Sequence, residues 1–412
     1  MQINNSGKNW DVKYEIKAVL LLALGFALVT LDRNLIYPLF PTIAKDLGLN
    51  YRDLGMISAS LSLCWGLAAM SSGRLADKFG TKRVLVPAVI LFSLLVGFGG
   101  FASGMVSLAV MRGLLGIAEG AYQTVGVAAT VEASKPTRLG RNVGLQQMSG
   151  PLVGMAICPL FVVWALNVLP SWHWVFVIVV PPGLIIAALL AKVLRSFGPA
   201  QTAEEATKYT WRDVILHGNV LPATLLQCCS MSGLVVLSAF LPHYLTDHLK
   251  LDRDSMGTVL SGFGLGATIG LVAVPALSDW LGRKLVIVIA LLVECIALWV
   301  FLNIGAAPLQ LFFALTVISL LLAGVIGTTI GPLASESVPH GLGATATGAI
   351  VGFAELIGGV IMPVVTGSLA VNDGISVIVK IAAGTAVLGL IVAALWIREP
   401  RRGSPAQGIA AQ

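Results

Sequence analysis

The chain of 412 residues is 57% hydrophobic and only 11% charged, whereas soluble domains carry about 25% charged residues. A soluble protein could not bury that much apolar surface, so the composition excludes a soluble domain and predicts a protein with many transmembrane spans. The formal net charge of +6 is explained by lysine and arginine in cytoplasmic loops, and no nucleic acid partner is expected. The five cysteines lie in apolar runs without metal-ligand spacing, so they predict neither a disulfide framework nor a metal site.

Twelve apolar segments follow one another along the chain, each long enough to cross a bilayer core of about 30 Å as a helix. They lie near residues 18–40, 54–74, 84–103, 105–129, 143–166, 173–195, 217–244, 255–275, 285–304, 308–331, 345–371 and 375–397. Nineteen lysines and arginines fall in loops on one side of the membrane and five on the other, which predicts that the first side is cytoplasmic. The polar residues before the first span lead into it without a cleavage site, so we expect a cytoplasmic tail there and not a signal peptide. Both termini are then expected in the cytoplasm, in a multi-pass protein of the cell inner (plasma) membrane.

The first span contains two charged residues, Asp32 and Arg33. A charge at the centre of a transmembrane helix costs on the order of 2.5–3.5 kcal/mol on insertion scales, so one that is kept faces a protein interior or a wet cavity. The pair predicts a functional site in this helix, and the alternative is a structural ion pair that orients the helix. Because a planar guanidinium grips a carboxylate bidentately, Arg33 is the candidate for binding an organic anion, with Tyr37 one turn further on the same face.

The fourth span also carries charges, Arg112 and Glu119. They are two helical turns apart and therefore share a face, about 10 Å from one another along the axis. Gln123 continues that face. Counting residues from the helix ends places Arg112 near the level of Asp32 and Arg33, with Glu119 about two turns nearer the cytoplasm. Two positive and two negative groups balance if they contact one another, and protonation of one acid would then release its partner.

Polar residues in other spans are further candidates. Gln146 and Gln147 in the fifth span and Gln227 in the seventh either hydrogen-bond substrate hydroxyls or pack between helices. Glu355 in the eleventh span is either a second titrating carboxylate or a protonated packing residue. His243, at the outer end of the seventh span, either forms a gate or caps the helix at the interface. The glycines of the fifth and eleventh spans are expected to be helix contacts, namely Gly144, Gly150, Gly154, Gly348, Gly352, Gly358 and Gly359.

A short motif recurs half-way along the chain. Residues 73–83 read GRLADKFGTKR after the second span, and residues 275–284 read PALSDWLGRK after the eighth. The aspartates of the two segments, Asp77 and Asp279, are 202 residues apart. Parallel repeats of this kind form two halves related by an axis along the membrane normal. We expect an N-terminal six-helix half over residues 1–198, a cytoplasmic linker over 199–215 and a C-terminal six-helix half over 216–412.

The segment 73–83 resembles the hallmark loop of the major facilitator superfamily, in which glycine, aspartate and glycine are spaced by three and two residues and basic residues follow. With its echo after the eighth span, the resemblance covers the whole chain. It implies an all-α membrane fold of twelve transmembrane helices in two pseudo-symmetric six-helix halves, with these loops gating transport and not binding substrate. The residues given a gating role are Gly73, Asp77, Gly80, Arg83, Asp279 and Arg283.

The charged spans are similar to those of the anion–cation symporter family, which is related to sialin and the vesicular glutamate carriers. The segments that carry this resemblance are Leu31–Asn34, Arg112–Gly120 and Trp172–Phe176. The family moves substrates that bear carboxylates, in its bacterial members mostly with protons. The resemblance puts a proton-titrating role on Asp32 and Glu119. It puts a charge-pairing or substrate-holding role on Arg33 and Arg112. Glu355 departs from the family pattern, which has a neutral polar residue there.

We therefore expect a proton-coupled symporter that imports a small organic anion, such as a sugar acid or another carboxylate, by alternating access. Proton coupling is assigned to Asp32, Glu119 and Glu355, and substrate binding to Arg33, Tyr37, Arg112, Gln123, Gln146, Gln147 and Gln227. The alternative is an exporter of amphipathic compounds or lipids, similar to spinster-like carriers, which share the aspartate–arginine pair, or to drug:proton antiporters. No nucleophile elbow or metal-ligand spacing indicates an enzyme. The expected partners are the organic anion, protons and the lipid bilayer, with no cofactor and no nucleic acid, for a chain that works as a monomer.

Overall fold

The structure is a computed structural model that describes residues 11–195, 218–338 and 343–399. Regular structure in these ranges is entirely helical, and twelve helices are long and apolar enough to cross a membrane. They are α1 (Val12–Leu47), α2 (Tyr51–Phe79), α3 (Thr81–Phe101), α4 (Met105–Ala133), α5 (Pro136–Val168), α6 (His173–Val193), α7 (Val220–His248), α8 (Arg253–Leu281), α9 (Arg283–Asn303), α10 (Pro308–Glu336), α11 (Ala346–Asp373) and α12 (Val377–Leu395). The predicted all-α fold with twelve transmembrane helices is confirmed. The linker predicted over 199–215 lies outside the described ranges.

The helices begin and end at capping residues and not where the hydropathy changes. They are therefore longer than the predicted apolar spans. The first helix begins after Asp11, whose carboxylate accepts a hydrogen bond from the Tyr14 amide at 3.0 Å. It ends at Gly48, which has a φ of 65°, a conformation that glycine adopts without strain. A capping box between Asn50 and Asp53 begins α2. Polar first and last turns carry no hydropathy signal, so the predicted spans are too short.

The two halves are built by the same set of helix contacts. In the first half, α1 packs against α5 and α6, α2 against α4, and α3 against α4 and α6. In the second half, α7 packs against α11 and α12, α8 against α10, and α9 against α10 and α12. Each contact of the second half is a contact of the first half shifted by six helices. The two pseudo-symmetric six-helix halves are therefore confirmed.

The symmetry extends to irregular turns within the helices. A π-helical turn interrupts α5 at Pro151–Ile157, and another interrupts α11 at Glu355–Ile361. A glycine inside each turn brings two helices close together. A Cβ on Gly154 would lie 2.5 Å from a carbonyl oxygen of α1, and a Cβ on Gly358 would lie 2.7 Å from a backbone nitrogen of α7. The same packing device thus joins α5 to α1 and α11 to α7.

Contact between the halves is close at one end of the helices. We call the end where α1 passes into α2 the Tyr51 end, and the opposite end, where α2 passes into α3, the Gly80 end. The halves meet where α2 packs against α11, α5 against α8 and α1 against α7. A Cβ on Gly55 would lie 2.3 Å from the Pro363 carbonyl oxygen, and one on Gly257 would lie 2.6 Å from a valine side chain of α5. Both glycines lie in the first two turns of their helices, so the halves are tightly packed at the Tyr51 end.

Toward the Gly80 end, the side of α11 that carries Glu355 has no close neighbours among the described residues. Gly348 and Gly352 precede Glu355 by seven and three residues and therefore lie on its side of the helix. Within the described ranges, no atom lies within 4 Å of a Cβ built on either glycine, and the same holds for Gly144 of α5. The prediction that these three glycines make helix contacts is wrong for this structure. The other four, Gly150, Gly154, Gly358 and Gly359, do meet close neighbours. The halves therefore separate toward the Gly80 end.

An alanine at Gly154 should destabilise the fold, whereas an alanine at Gly144 should not. At Gly154 the added methyl group meets the backbone of α1, and such overpacking costs about 1–3 kcal/mol. At Gly144 it enters open space, where the higher helix propensity of alanine makes the change neutral or slightly stabilising. The measurement is the thermal unfolding midpoint of each purified variant in one detergent. Equal midpoints for Gly154→Ala and Gly144→Ala would contradict the packing.

Candidate functional site

Arg112 of α4 lies at the level of Asp32 and Arg33 of α1, as the residue count predicts. Its Nη1 donates a hydrogen bond to the main-chain oxygen of Asp32 at 3.0 Å, and its Nη2 donates one to the main-chain oxygen of Arg33 at 2.6 Å. The side chain is buried. Arg112 thereby fixes the middle of α1 against α4, and in this state that edge of the guanidinium is committed to the backbone and not to a ligand.

The guanidinium of Arg33 reaches the other half of the fold. Its Nη2 donates a hydrogen bond to Oε1 of Glu355 in α11 at 2.6 Å and another to the Ser62 hydroxyl of α2 at 3.2 Å. The guanidinium carbon also lies 5.2 Å from the ring centroid of Trp65, within the range of a cation–π interaction. The Arg33 side chain is 18% exposed and that of Glu355 only 5%. Arg33 therefore keeps an accessible surface, while its partner is almost fully enclosed.

The two other acids of the site, Asp32 and Glu119, are buried and have carboxyl oxygens that no described residue hydrogen-bonds. Within the described residues, Oδ1 of Asp32 and both carboxyl oxygens of Glu119 have no partner, and the Glu119 residue is fully buried. The predicted contact among two acids and two arginines therefore does not form as hydrogen-bonded ion pairs. The reason is that Arg112 is turned to the backbone and Arg33 to Glu355. An isolated ionised carboxylate is far more costly to bury than a neutral polar group. Carboxyl groups at these two positions are therefore candidates for a functional role.

The predicted glutamines fall into two groups. Gln146 is fully buried inside the N-terminal half, where its Oε1 accepts a hydrogen bond from the Thr130 hydroxyl at 2.7 Å. Gln123, Gln147 and Gln227 each have a buried side-chain oxygen that no described residue satisfies. Buried polar atoms normally find partners in protein or water, so a polar ligand would satisfy them. These three remain candidates for substrate contact. Gln146 also has a buried Nε2 without a partner among the described residues, but its bond to Thr130 holds it between α4 and α5.

Tyr37 lies one turn beyond Arg33, toward the Tyr51 end. With Asn34 it lines a narrow cavity of about 30 Å³ that Ser238 of α7 borders from the other half. The Ser238 hydroxyl has no hydrogen-bond partner among the described residues. Tyr37 therefore lies between the Arg33 guanidinium and the closed end of the fold, where it can form the roof of a ligand site.

Aromatic and ionic side chains join the two halves at the Tyr51 end. Nδ1 of His243 in α7 is hydrogen-bonded to Oδ2 of Asp247 at 2.7 Å, and the Tyr51 hydroxyl donates to the same oxygen at 3.0 Å. The His243 ring packs edge-on against Phe40 and Tyr51, with centroids 5.5 and 5.1 Å away. Because His243 is buried between the halves, it does not cap the helix in the membrane interface. Its position fits the alternative role of a gate residue.

The loops assigned to gating lie at the Gly80 end. Gly80 and Gly282 have φ values of 87° and 103°, in the left-handed region that favours glycine. Arg283 forms ion pairs with Asp279 and with Glu336, the second at 2.7 Å. This ties the loop after α8 to the end of α10 within the C-terminal half.

A hydrogen bond replaces that ion pair in the N-terminal half. Thr81, which is equivalent to Arg283, donates its hydroxyl hydrogen to Glu132 at the end of α4 at 2.7 Å. Asp77 and Arg83 are exposed beside it. The two loops thus occupy equivalent places but are held differently, by ion pairs of Arg283 in the C-terminal half and by one hydrogen bond from Thr81 to Glu132 in the N-terminal half.

Sequence reasoning missed four residues of these clusters. Ser62 and Trp65 contact Arg33, and Tyr51 and Asp247 belong to the cluster at the Tyr51 end. A serine and a tryptophan within an apolar span are ordinary, and polar residues at helix ends are expected. No local signal marks these four, because only the packing of separate helices brings them to their partners.

Twelve transmembrane helices in two symmetric halves, with buried charges where the halves meet, define the architecture of a secondary transporter. The pattern of the Major Facilitator Superfamily matches residues 22–224 and residues 223–412. The chain belongs to the major facilitator superfamily and is a multi-pass membrane protein of a transporter family.

The relatives found within this superfamily carry names that indicate different substrates. The chain is 26% identical to a hexuronate transporter of Bacillus subtilis (strain 168), with 96% of this chain and 97% of that protein covered. It is 31% identical to the putative multidrug resistance protein MdtD of Shigella boydii serotype 4 (strain Sb227), over 62% of this chain and 47% of that protein.

Solved structures share the fold at low sequence identity. A bacterial homologue of the human lysosomal transporter Spinster, in an inward-facing and unoccupied conformation, superposes with a TM-score of 0.75 at 16% identity, covering 92% of this chain and 96% of that one. The nucleoside transporter NupG superposes with a TM-score of 0.77 at 13% identity, covering 93% and 100%. These two likenesses establish the fold.

Arg112→Lys should loosen the attachment of α1 to α4. A lysine keeps the charge but cannot span two successive carbonyl oxygens as a planar fork does, and a hydrogen bond from a charged group is worth about 1.5–3 kcal/mol. We expect the ligand-free variant to unfold several degrees below wild type in a thermal unfolding experiment. Arg253→Lys, at an exposed position at the start of α8, is the control. Equal midpoints for the two variants would show that Arg112 does not hold α1.

Proposed function

We propose that this protein is a proton-coupled symporter that imports a small organic anion, with a sugar acid as the substrate class. The observation that carries the proposal is the Arg33 guanidinium, which lies midway along α1, contacts both halves and keeps an accessible surface. A guanidinium binds a carboxylate through two parallel hydrogen bonds. The similarity to a hexuronate transporter over nearly the whole chain supports the substrate class, because a hexuronate is a sugar that bears one carboxylate.

The proposed proton carriers are Asp32 and Glu119. Both are buried next to the arginines, and neither Oδ1 of Asp32 nor the carboxyl oxygens of Glu119 have a described hydrogen-bond partner. The low-dielectric surroundings favour the neutral form of such a group, and a nearby guanidinium favours the ionised form. A carboxyl group under both influences can gain or lose its proton when the cavity opens to one side of the membrane or the other.

The proposed orientation places the Gly80 end in the cytoplasm, because the lysine- and arginine-rich loops gather there. Both termini then lie in the cytoplasm, and the membrane is the cell inner membrane. The halves are packed at the Tyr51 end and separated at the Gly80 end, so this state would release its substrate inward. The proposed transport unit is the single chain, since its own two halves supply all the groups named here.

The second candidate is export of an amphipathic compound. The partial similarity to a putative multidrug resistance protein favours it, and an acidic residue in a membrane cavity also suits a cationic cargo. Arg33 weighs against it, because a guanidinium at the centre of the site repels a cation. Uptake of an organic cation dye into inside-out vesicles under a proton gradient would support this candidate over the first.

Binding of a sugar acid to the purified protein is the direct test. D-Glucuronate should raise the thermal unfolding midpoint at pH 6, because a ligand that binds only the folded state stabilises it. Glucuronamide, which has the same sugar and no charge, should have little effect. If no carboxylate in a panel of sugar acids, hydroxy acids and dicarboxylates shifts the midpoint, the proposed substrate class is wrong.

Glu119→Gln should separate proton-driven uptake from substrate exchange. The glutamine mimics the protonated carboxyl group and cannot release a proton, so uptake of radiolabelled glucuronate driven by an inward proton gradient into proteoliposomes should fall by more than tenfold. Exchange of internal for external glucuronate at equal pH should persist. Glu294→Gln in α9, a buried position away from the charged site, is the matched control. Gradient-driven uptake at the wild-type rate in Glu119→Gln would remove Glu119 from the mechanism.

A further inference from the structure

The ion pair between Arg33 and Glu355 places a carboxylate of the protein where the substrate carboxylate is expected. Its hydrogen bond is 2.6 Å long and joins the N-terminal to the C-terminal half. Arg33 is also the arginine that keeps an accessible surface, since Arg112 holds two backbone oxygens of α1. A ligand carboxylate and Glu355 therefore compete for the same guanidinium.

The fold provides a specific place for the Glu355 carboxylate. Glu355 begins the π-helical turn Glu355–Ile361 of α11, and such turns are frequent at functional sites. A Cβ on Gly359 would lie 2.7 Å from Oε1 of Glu355 and 3.0 Å from Cβ of Ser62, so the glycine leaves the room that the carboxylate occupies. The matching turn of α5 begins with Pro151. The acid is thus present in one half only, and the symmetry of the scaffold does not require it.

The charges of the site explain why both carboxylates cannot be ionised on Arg33 together. Asp32, Glu119 and Glu355 outnumber Arg33 and Arg112 by three acids to two bases. Nη2 of Arg33 already donates to Glu355, so a bidentate grip that uses this nitrogen requires Glu355 to leave it. A second ionised carboxylate close to the first is disfavoured by like-charge repulsion.

We infer that the substrate carboxylate and Glu355 occupy Arg33 in turn, and that Glu355 takes up one proton when the substrate binds. The inference rests on the proposed function and adds the place where proton and substrate are exchanged. The Glu355 carboxylate takes up one proton and becomes a neutral carboxylic acid. Arg33 stays positively charged and binds the substrate carboxylate instead. On release the proton leaves Glu355, whose carboxylate returns to Arg33 and displaces the substrate.

Other titratable groups near Glu355 are few. Besides Glu355, the ionisable groups that act on the Arg33 guanidinium are Tyr37 and Glu119, with Asp32 adjacent in sequence. The turn packs against α2 and α7, whose middle turns carry no titratable side chains other than the thiols of Cys64, Cys228 and Cys229. The ionic groups of these two helices lie toward their ends. Glu355 is therefore the carboxylate in direct contact with the anion-binding guanidinium, and competition at Arg33 should dominate the pH dependence of binding.

The test is the affinity for D-glucuronate as a function of pH, obtained from thermal unfolding midpoints of the full-length protein in detergent. If binding takes up one proton, the Kd of the wild type rises roughly tenfold for each pH unit in the range where the proton acceptor is ionised before binding. Glu355→Gln lacks both the competing charge and the proton acceptor. We expect it to bind at pH 8 more tightly than wild type does, with the slope of log Kd against pH reduced by one.

Two further variants sharpen the result. Gly359→Ala crowds the Glu355 carboxylate but leaves it titratable, so it should also raise the affinity at pH 8 while keeping part of the pH dependence. Glu294→Gln removes a buried carboxyl group of α9, away from Arg33, and should keep the wild-type slope. Gly359→Ala also tests the inference if Glu355→Gln does not fold.

The outcomes separate this inference from the proposed function. An unchanged slope in Glu355→Gln, or an affinity below that of wild type at every pH, overturns the exchange at Arg33 while leaving carboxylate transport intact. In Gly359→Ala, a wild-type affinity at pH 8 overturns it in the same way. If wild-type protein binds no carboxylate at any pH, the proposed function fails and the inference fails with it.

Discussion

A guanidinium in the middle of a membrane protein needs a counter-charge, and in this chain the other half of the molecule supplies it. The contact of Arg33 with Glu355 joins α1 to α11 through the charge of one carboxyl group. Removing one partner of a buried ion pair leaves an uncompensated charge, which is strongly destabilising. A ligand anion that replaces the partner avoids that cost. Under the proposed exchange, one group links binding to the contact between the halves.

The scaffold is symmetric but its chemistry is not. The helix contacts, the π-helical turns of α5 and α11 and the glycines inside those turns recur in both halves. The buried charges of the site come from α1 and α4 of the N-terminal half, with Glu355 as the contribution of the C-terminal half. This division suits a rocking motion, because the half that holds the cations is rigidly built, with Arg112 fastening α1 to α4.

Much of this architecture is readable from the sequence, for physical reasons that are local or periodic. Hydropathy reveals twelve spans because each must fit a bilayer, and the repeated loop reveals the two halves because glycine is needed at the same tight turn in both. Helical geometry places Arg112 at the level of Asp32, and the structure confirms it. The helix ends are misplaced because capping residues such as Asp11 and Asn50 are polar and carry no hydropathy signal.

The partners of the charged residues could not be read from the sequence. Arg33 and Glu355 are 322 residues apart, and no local pattern relates two such distant positions. Arg112 was expected to meet an acid, yet it binds backbone oxygens, which have no sequence signature. The openness of Gly348 and Gly352 could not be read from the sequence either, because glycine spacing does not tell whether two helix faces are packed or apart.

The central claim is that an anion takes the place of a protein carboxylate on Arg33 and that this carboxylate is protonated in exchange. Isothermal titration calorimetry of wild-type protein with D-glucuronate, in two buffers of different ionisation enthalpy at one pH, counts the protons taken up on binding. The account predicts uptake of about one proton per anion at a pH where Glu355 is ionised before binding. Binding with the same heat in both buffers, and therefore without proton uptake, would contradict it.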